Sequence, residues 1–374
     1  MISALIERGV RIPCPSAVVL EDIDVERIQP GAVIYPGCIL RGRETYIGRN
    51  ARIGEGGGAL VENAQIGAQS RAMQGVYREC TLLDGVIVRN GAEIREGCLL
   101  EEGVELGHTV GLKQTIFFPH VVAGSLINFC DALMAGGLSR KVHSEIGSCM
   151  ALYNYTPQGD KFASIFGNVV QGVFLNQRPI FIGGQTQIVS PVIVGFGAVV
   201  GAGSKITKNI LNDHIVCTDS KVLDKTFEPE AIHRPDVKVE NTLYYIEQLD
   251  YLKLWYQQIR LPLFRETESS FLMESGLKRI ESGLTERRKR LSKFAEKLAV
   301  SLKYHRECGN TPEIAAHEKA IELVHAPAKS LNLSSFPVCG HSGTEQISFE
   351  ELRKTLREKM SRGMSYCDAV SSIE

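Results

Sequence analysis

The sequence predicts a mainly β chain of short, stacked parallel strands, followed by an α-helical C-terminal region. Three observations support this: aliphatic side chains recur every six residues, glycines are concentrated in the first 203 residues, and long amphipathic stretches follow residue 238. A spacing of six matches neither the 3.6-residue period of a helix nor a doubly wound fold. We therefore expect the repeating unit to be one strand and one corner.

The longest run of this repeat contains six aliphatic residues, and glycine follows each of the first four after three positions. These six residues are Leu82, Val88, Ile94, Leu100, Leu106 and Leu112. The spacing returns at Ile182, Ile188, Val194, Val200 and Ile206, and it occurs earlier at Ile28, Ile34 and Leu40. Three hexapeptides would close one triangular coil of a parallel β-helix, so residues 18 positions apart should stack on one face.

The repeat stops near residue 218, which divides the chain into three parts. We predict a β-helix domain over 1–218, a linker over 219–238 that contains two prolines, and an α-helical C-terminal extension over 239–374. Helices are expected at 239–262, 268–305, 312–326 and 347–362. The basic run at 286–293 is interpreted as a solvated helix face.

Charge balance and the lengths of the apolar runs argue against nucleic-acid-binding, membrane and secreted proteins. The chain has 42 Lys+Arg and 43 Asp+Glu, which gives a net charge of −1. This balance favours neither nucleic acid nor an anionic membrane as a partner. The apolar runs are too short to span a membrane, and the N-terminus lacks the order of a signal peptide, so we expect a cytoplasmic protein.

The cysteines and histidines predict no metal site. The ten cysteines are scattered singly and form no CxxC pair. Another β-helix family binds zinc between subunits through three histidines, two of them close in sequence. His108, His120 and His143 are 12 and 23 residues apart, which does not fit that pattern.

Several motifs resemble the left-handed β-helix domain of bacterial glucosamine-1-phosphate acetyltransferases, the C-terminal half of the bifunctional N-acetylglucosamine-1-phosphate uridyltransferase. The resemblance covers roughly residues 27–210. The motifs are Arg95-Glu-Gly, Gly107-x2-Val110-x-Leu112-Lys113, Ile146-Gly147, Asn154-Tyr155, Lys161-Phe162, Ile182-Gly183-Gly184-x-Thr186-Gln187 and Gly201-Ala202-Gly203. The resemblance implies a left-handed parallel β-helix, a homotrimer and acetyl transfer from acetyl-CoA to an amino-sugar phosphate or a nucleotide-linked (UDP) amino sugar.

The resemblance also implies a substrate site. Arg95 and Lys113 match an arginine and a lysine that hold the sugar phosphate. Because they are 18 residues apart, they should stack on one face and could bind one phosphate together. Asn154, Tyr155 and Lys161 would contact the sugar.

The cofactor position and the missing half of the bifunctional enzyme follow from the same resemblance. Backbone groups near Gly184 and Ala202 would face the acetyl-CoA. No glycine-rich nucleotide loop precedes the β-helix, so we expect no uridyltransferase activity.

The catalytic base is less clearly marked. The family uses a histidine, but counting back from Ile146 places Asp131 at that position. The six-residue spacing is lost between Phe118 and Ile146, so we expect 119–145 to leave the coil as a loop. His143 and His120 lie in this stretch, and either could act as the base.

Two functions therefore remain open, with a pure scaffold that binds no sugar phosphate as a third possibility. The first is an N-acetyltransferase with His143 or His120 as base. The alternative is a non-catalytic sugar-nucleotide-binding or assembly protein that keeps the phosphate site and uses its helical region to bind a partner.

Overall fold

The chain folds into a left-handed parallel β-helix of about 11 turns, with helices packed along one side. The computed structural model describes residues 1–218, 228–326, 335–340 and 343–373, with the backbone alone for 335–340 and 343–346. The predicted fold class is confirmed. Part of the predicted linker, 219–227, lies outside the described residues.

Each turn of the β-helix contributes one short strand to each of three faces, which we call faces 1, 2 and 3 in chain order. Face 1 contains Val33–Ile34, Arg52–Ile53, Arg71–Ala72, Ile87–Val88, Glu105–Leu106, Val122–Ala123, Glu145–Ile146, Phe181–Ile182, Val199–Val200 and Ile215–Val216. Face 2 contains Val19–Glu21, Ile39–Arg41, Ala59–Glu62, Gly75–Arg78, Ala92–Ile94, Ala151–Tyr153, Gln187–Val189 and Lys205–Ile206. Face 3 contains Tyr46–Ile47, Gln65–Ile66, Thr81–Leu82, Leu99–Leu100, Ser164–Phe166 and Ile193–Val194. Two longer strands, Gly111–Phe117 and Asn128–Met134, join faces 2 and 3.

The strand register explains the six-residue spacing. Ile94 pairs with Leu112 on face 2, and Leu82 pairs with Leu100 on face 3. All four side chains are fully buried inside the coil. Burying aliphatic side chains in this continuous stack is the main favourable term for the fold.

The prediction that 119–145 leaves the coil is wrong for most of that stretch. Val122–Ala123 and Asn128–Met134 continue faces 1, 2 and 3, and only the segment between Met134 and Glu145 leaves the ladder. The spacing was lost because this turn is one residue shorter: Leu112 pairs with Phe129, and Leu100 pairs with Phe117. The tight corner contains Gln114, whose φ is 49°.

Helices occur in all four stretches where the sequence predicts them, and three further short α-helices are present among the described residues. The α-helices are α1 (Ile2–Glu7), α2 (Val169–Gly172), α3 (Pro235–Trp255), α4 (Leu261–Phe264), α5 (Ser270–Glu307), α6 (Thr311–His325), α7 (Phe349–Ser361) and α8 (Tyr366–Ser371). A π-helical turn, Tyr256–Arg260, connects α3 to α4. The short helices α1, α2 and α8 and an antiparallel pair, Ser335–Gly340 with Gly343–Ser348, were not expected. None of the described helices is long and apolar enough to cross a bilayer.

The helical region packs on face 3 rather than standing apart from the β-helix. Helix α5 contacts the face 3 strands from Gln65 to Leu100, and α3 contacts Ser164–Phe166. Buried Leu249, Trp255 and Tyr256 belong to the same apolar core as the coil interior. Face 3 is therefore covered by the chain's own helices.

A buried ion pair also joins the two parts. Arg260, 1% exposed, donates to Glu102 at 2.7 and 3.0 Å and lies 3.3 Å from Glu101. The Tyr256 hydroxyl donates to Glu101 at 2.5 Å. Burial raises the pKa of Glu101 to about 7, although Arg260 opposes that rise.

Candidate functional site

Arg95 and Lys113 lie one turn apart at the corner between faces 2 and 3, which we call corner 2/3. Arg95 follows the face 2 strand Ala92–Ile94, Lys113 lies within the strand Gly111–Phe117 that joins faces 2 and 3, and the Arg95 backbone N–H donates to the Leu112 carbonyl at 3.0 Å. The predicted stacking of the two positions is confirmed by this register. Cys130 continues the same column in the next turn, where it pairs with Lys113.

The two cations differ in how fully they are paired. Lys113 forms an ion pair with Glu96. Burial is the largest single effect and would raise the pKa of Glu96, but the hydrogen bond from Lys113, a backbone hydrogen bond and the charges of Lys113 and Arg95 together lower it. The Arg95 Nη2 atom lies 3.7 Å from Cys130 Sγ, and its buried Nε has no hydrogen-bond partner among the described residues. Corner 2/3 therefore holds a guanidinium with one buried donor that no described residue accepts.

Asp131 is the buried carboxylate at this corner. It accepts hydrogen bonds from Asn154 Nδ2 and from the Arg287 guanidinium of α5. The Asp131 and Arg287 side chains are 4% and 3% exposed. Burial raises the pKa of Asp131, and the positive charges of Arg287 and Lys161 offset part of that rise.

A small hairpin carries three of the predicted substrate residues over corner 2/3. It begins at Asn154, whose carbonyl accepts the Phe162 N–H at 2.9 Å, and its arms pair at Tyr155 and Lys161. Lys161 acts on the Asp131 carboxylate electrostatically, and Tyr155 is 63% exposed. The structure thus brings together Arg95, Lys113, Asn154 and Lys161.

Helix α5 contacts this hairpin directly. Lys297 Nζ donates to the Asp160 carboxylate and to the Gln158 carbonyl, both at 2.7 Å. The Phe294 and Phe162 rings pack edge to face, with their centroids 5.2 Å apart. The C-terminal region therefore positions the hairpin that carries Lys161.

The two candidate histidines lie on a different corner, between faces 3 and 1, which we call corner 3/1. His120 is partly buried, and its Nδ1 has no partner among the described residues. Burial lowers the pKa of His120 despite the negative charge of Glu102. His143 Nδ1 donates to the Arg140 carbonyl at 2.9 Å, and its Nε2 lies 3.4 Å from Oε2 of Glu145. Within one chain, neither histidine shares a corner with Arg95 and Lys113.

Gly184 and Ala202 lie at the third corner, between faces 1 and 2, which we call corner 1/2. The Gly203 N–H donates to the Gly184 carbonyl at 2.9 Å, which stacks the two turns closely. A Cβ on the neighbouring Gly183 would lie 2.4 Å from the Ala202 nitrogen, so this corner has no room for a side chain there. Ala202 itself is exposed.

Sequence reasoning missed Arg287. The basic run at 286–293 was interpreted as solvated, which holds for Arg288 but is wrong for Arg287. The signal was present, because Arg287 lies at the helical spacing of buried Leu284, Phe294 and Leu298. A cation at an apolar position of an amphipathic helix needs a buried partner.

Curated proteins similar to this chain match about half of its length. No family model matches the chain. The bifunctional protein GlmU of Bdellovibrio bacteriovorus is 31% identical over 207 residues, 55% of this chain and 41% of that protein. GlmU of a Synechococcus species is 27% identical over 193 residues, 52% of this chain and 38% of that protein. The chain thus spans less than half the length of these relatives.

Solved structures include an Arabidopsis UDP-N-acetylglucosamine acyltransferase, 12% identical, with 56% of this chain and 70% of that chain covered at a TM-score of 0.21. The polysialic-acid-specific acetyltransferase NeuO is also 12% identical, with a TM-score of 0.18. These overlaps are too small to support a functional inference.

Proposed function

We propose that this chain, whose hexapeptide-repeat domain resembles that of the GlmU proteins, is an acyltransferase of sugar metabolism. It transfers an acetyl group from acetyl-CoA to the amine of an amino-sugar phosphate or a UDP-linked amino sugar. The supporting observation is the pair of stacked cations at corner 2/3, where the buried Nε of Arg95, beside Lys113, has no hydrogen-bond partner in the described part of the chain. Like charges one turn apart repel each other, and an anion held between them removes that cost.

The substrate residues have separate roles in this proposal. A phosphate displaces Glu96 from Lys113 and accepts from both Lys113 and Arg95. Asn154 and Lys161 orient the sugar from the hairpin, while exposed Tyr155 covers it. Positioning the amine in this way lowers the entropic part of the barrier to transfer.

The acyl transfer itself requires a base. The amine nitrogen attacks the thioester carbonyl, the new C–N bond forms as the C–S bond breaks, and CoA leaves as the thiol. The proton lost by the amine passes to a neutral imidazole, and the resulting imidazolium returns it to the departing sulfur. His120 suits this role because burial keeps its pKa low, and His143 is oriented by Arg140 and Glu145.

The proposed phosphate-binding, base and CoA-contacting residues lie on three different corners, which supports an active site shared between subunits. A histidine at corner 3/1 would reach an amine held at corner 2/3 if it came from a neighbouring copy of the chain. Backbone groups near Gly184 and Ala202, at corner 1/2, would contact the CoA. A cytoplasmic homotrimer with sites between subunits meets these requirements.

A second candidate function is supported by the Asp131–Arg287 pair. The resemblance expects the catalytic histidine at position 131, but the chain has a carboxylate there that its own helix neutralises. A protein that bound a sugar nucleotide without chemistry would keep Arg95 and Lys113 and would not need a base. The helical region would then present a surface to a partner.

Thiol release from acetyl-CoA distinguishes the two functions. The wild type, His120→Ala and His143→Ala would be assayed against a panel of amino-sugar phosphates and UDP-linked amino sugars. The control is His108→Ala, an exposed histidine at corner 1/2. We expect turnover by the wild type and the control, and at least a 100-fold loss in one histidine variant. Absence of turnover with every acceptor, combined with measurable UDP-sugar binding, would leave the binding protein as the function.

A further inference from the structure

One group of three side chains in the described part of the chain brings metal-ligating atoms together. His233 precedes α3, His305 lies in the last turns of α5, and Glu313 lies in the first turn of α6. One ligand atom from each residue lies within 4.8 Å of the other two. His233 Nδ1 is 3.3 Å from Glu313 Oε1, and two ligands of a tetrahedral zinc ion are about 3.3–3.5 Å apart.

His305 provides the strongest argument for a ligand. Its side chain is 1% exposed, and Nε2 donates to the Ile232 carbonyl at 3.1 Å. With the ring proton on Nε2, Nδ1 carries a lone pair, and this buried atom has no hydrogen-bond partner among the described residues. An imidazole that donates through one nitrogen to a backbone carbonyl and keeps the other free has the usual arrangement of a metal ligand.

The Glu313 carboxylate is likewise held in place by a hydrogen bond to the backbone. Glu313 Oε2 accepts the Arg234 N–H at 2.9 Å, and Arg234 has a positive φ of 51° that directs this group. His317 Nδ1 donates to the Glu313 carbonyl at 2.6 Å, while its Nε2 contacts Ser301 Oγ at 2.7 Å. Both ring nitrogens of His317 thus have hydrogen-bond partners. His317 therefore supports Glu313 and is not itself one of the three ligands.

We propose that His233, His305 and Glu313 bind a single zinc-class transition-metal ion. Two imidazoles and one carboxylate suit zinc, whereas magnesium and calcium prefer oxygen ligands alone. His233 is half exposed, so solvent fills the fourth coordination position. This site departs from the metal-free expectation because its ligands are 72 and 8 residues apart and form no sequence motif.

The ion connects three segments around a small apolar core. That core contains Phe162, Ile232, Val239, Phe294, Leu298 and Ala320. It includes the base of the hairpin over corner 2/3, so metal binding would stabilise the contact between the helical region and that hairpin. The site does not depend on the proposed acyl transfer.

The test measures zinc binding to the full chain after removal of metal and of any affinity tag. Zinc would be titrated against a chromophoric chelator, and cobalt would replace zinc so that visible absorption reports the ligand field. We expect one zinc per chain and at least tenfold weaker binding in His233→Ala and Glu313→Gln. These two residues are not fully buried, so their variants are less prone to unfold than His305→Ala. Circular dichroism would check that both variants fold.

Two control variants make the outcome decisive. His325→Ala removes an exposed histidine of α6 and should leave zinc binding unchanged. Cys308→Ser removes an exposed thiol near His305, and it too should have no effect. Failure of the wild type to retain zinc would overturn the proposal. So would equal zinc binding by His233→Ala and Glu313→Gln, or a cobalt thiolate band that Cys308→Ser abolishes.

Discussion

Arg287 and Asp131, 156 residues apart in sequence, form a buried ion pair between helix α5 and corner 2/3. Asn154 donates to the second carboxylate oxygen, so both oxygens of Asp131 are paired. This relationship joins the β-helix, the hairpin and the helical region in one contact. It also places the C-terminal region next to the proposed substrate residues.

We predict that Arg287→Ala destabilises the chain by about 3–5 kcal/mol, because it leaves the Asp131 carboxylate buried without a counter-charge. Urea unfolding would measure the loss. Arg288→Ala is the matched control: its side chain is 59% exposed and pairs with Asp250, so the expected cost is about 0–1 kcal/mol. The double variant Arg287→Met with Asp131→Asn should recover part of the stability. Equal costs for the two arginines would show that the pair contributes little.

The proposed anion site gives a second prediction. Arg95→Ala and Lys113→Ala should each weaken binding of glucosamine 1-phosphate about 10- to 100-fold, the range for losing a hydrogen bond to a charged group. Isothermal titration calorimetry would measure the dissociation constants. Arg89→Ala, an exposed arginine paired with Glu105 at corner 1/2, is the control and should change nothing. Unchanged affinity in both corner 2/3 variants would remove the phosphate site.

The β-helix was predictable because a single period carries its whole architecture. Each inward aliphatic side chain stacks on the one from the next turn, so the spacing that fills the core is also the spacing seen in the sequence. The shortened corner at Gln114 was not predictable in this way. Removing one residue shifts the pattern without breaking the ladder, and the sequence then shows the same loss of phase as a true loop.

The site was predictable in part. Arg95 and Lys113 follow the period, and their stacking could be derived from it. The ion pair of Asp131 with Arg287 depends on how a helix docks 156 residues later, which no local pattern records. Counting residues assigns a side chain to the right corner only when each turn has its regular length. Because the turn between Lys113 and His120 is shorter, the sequence did not show that these two residues lie on different corners.

Asp84 gives a prediction about pH. Its Oδ1 accepts the Ala68 N–H at 2.7 Å, and burial raises its pKa to about 6 from 3.8. An acid with a raised pKa in the folded state binds its proton more tightly there than in the unfolded chain. Its stabilising effect is therefore present at pH 4 and is lost as the pH rises from about 4 to 6.

The measurement compares the wild type with Asp84→Asn by urea unfolding at pH 4 and pH 7. Relative to Asp84→Asn, the wild type should lose about 2 kcal/mol between these two values. The full effect of the raised pKa is about 3 kcal/mol, but pH 4 already lies slightly above the unfolded pKa of 3.8. Asp213→Asn, at a residue that pairs with Arg178 on the surface, is the control. A wild-type curve parallel to that of Asp84→Asn would contradict the prediction.

Helix α5 should control the mobility of the hairpin at 154–162. Phe294→Ala removes the ring that packs on Phe162, and Lys297→Ala removes two hydrogen bonds to the hairpin tip. We expect hydrogen exchange at 155–161 to accelerate more than tenfold in either variant, because local opening requires breaking these contacts. Lys293 directly precedes Phe294 but lies on the exposed side of α5, so Lys293→Ala should leave hydrogen exchange in the hairpin unchanged. If all three variants exchange alike, the hairpin is held by its own backbone contacts.

The proposed active site combines residues of two neighbouring subunits. If Arg95 and the catalytic histidine act from different subunits, two inactive variants should complement each other. Mixing Arg95→Ala with the inactive histidine variant in equal amounts, by unfolding and refolding together, should restore about one quarter of the wild-type turnover, because one interface in four then carries both intact residues. Thiol release would measure turnover, and native mass spectrometry would confirm mixed trimers. Mixing Arg95→Ala with Lys113→Ala is the control: both lesions lie at corner 2/3, so every site keeps one of them and no activity should return. Mixed trimers without recovered turnover would show that each site is built within one chain, and the histidine at corner 3/1 could then not be its base.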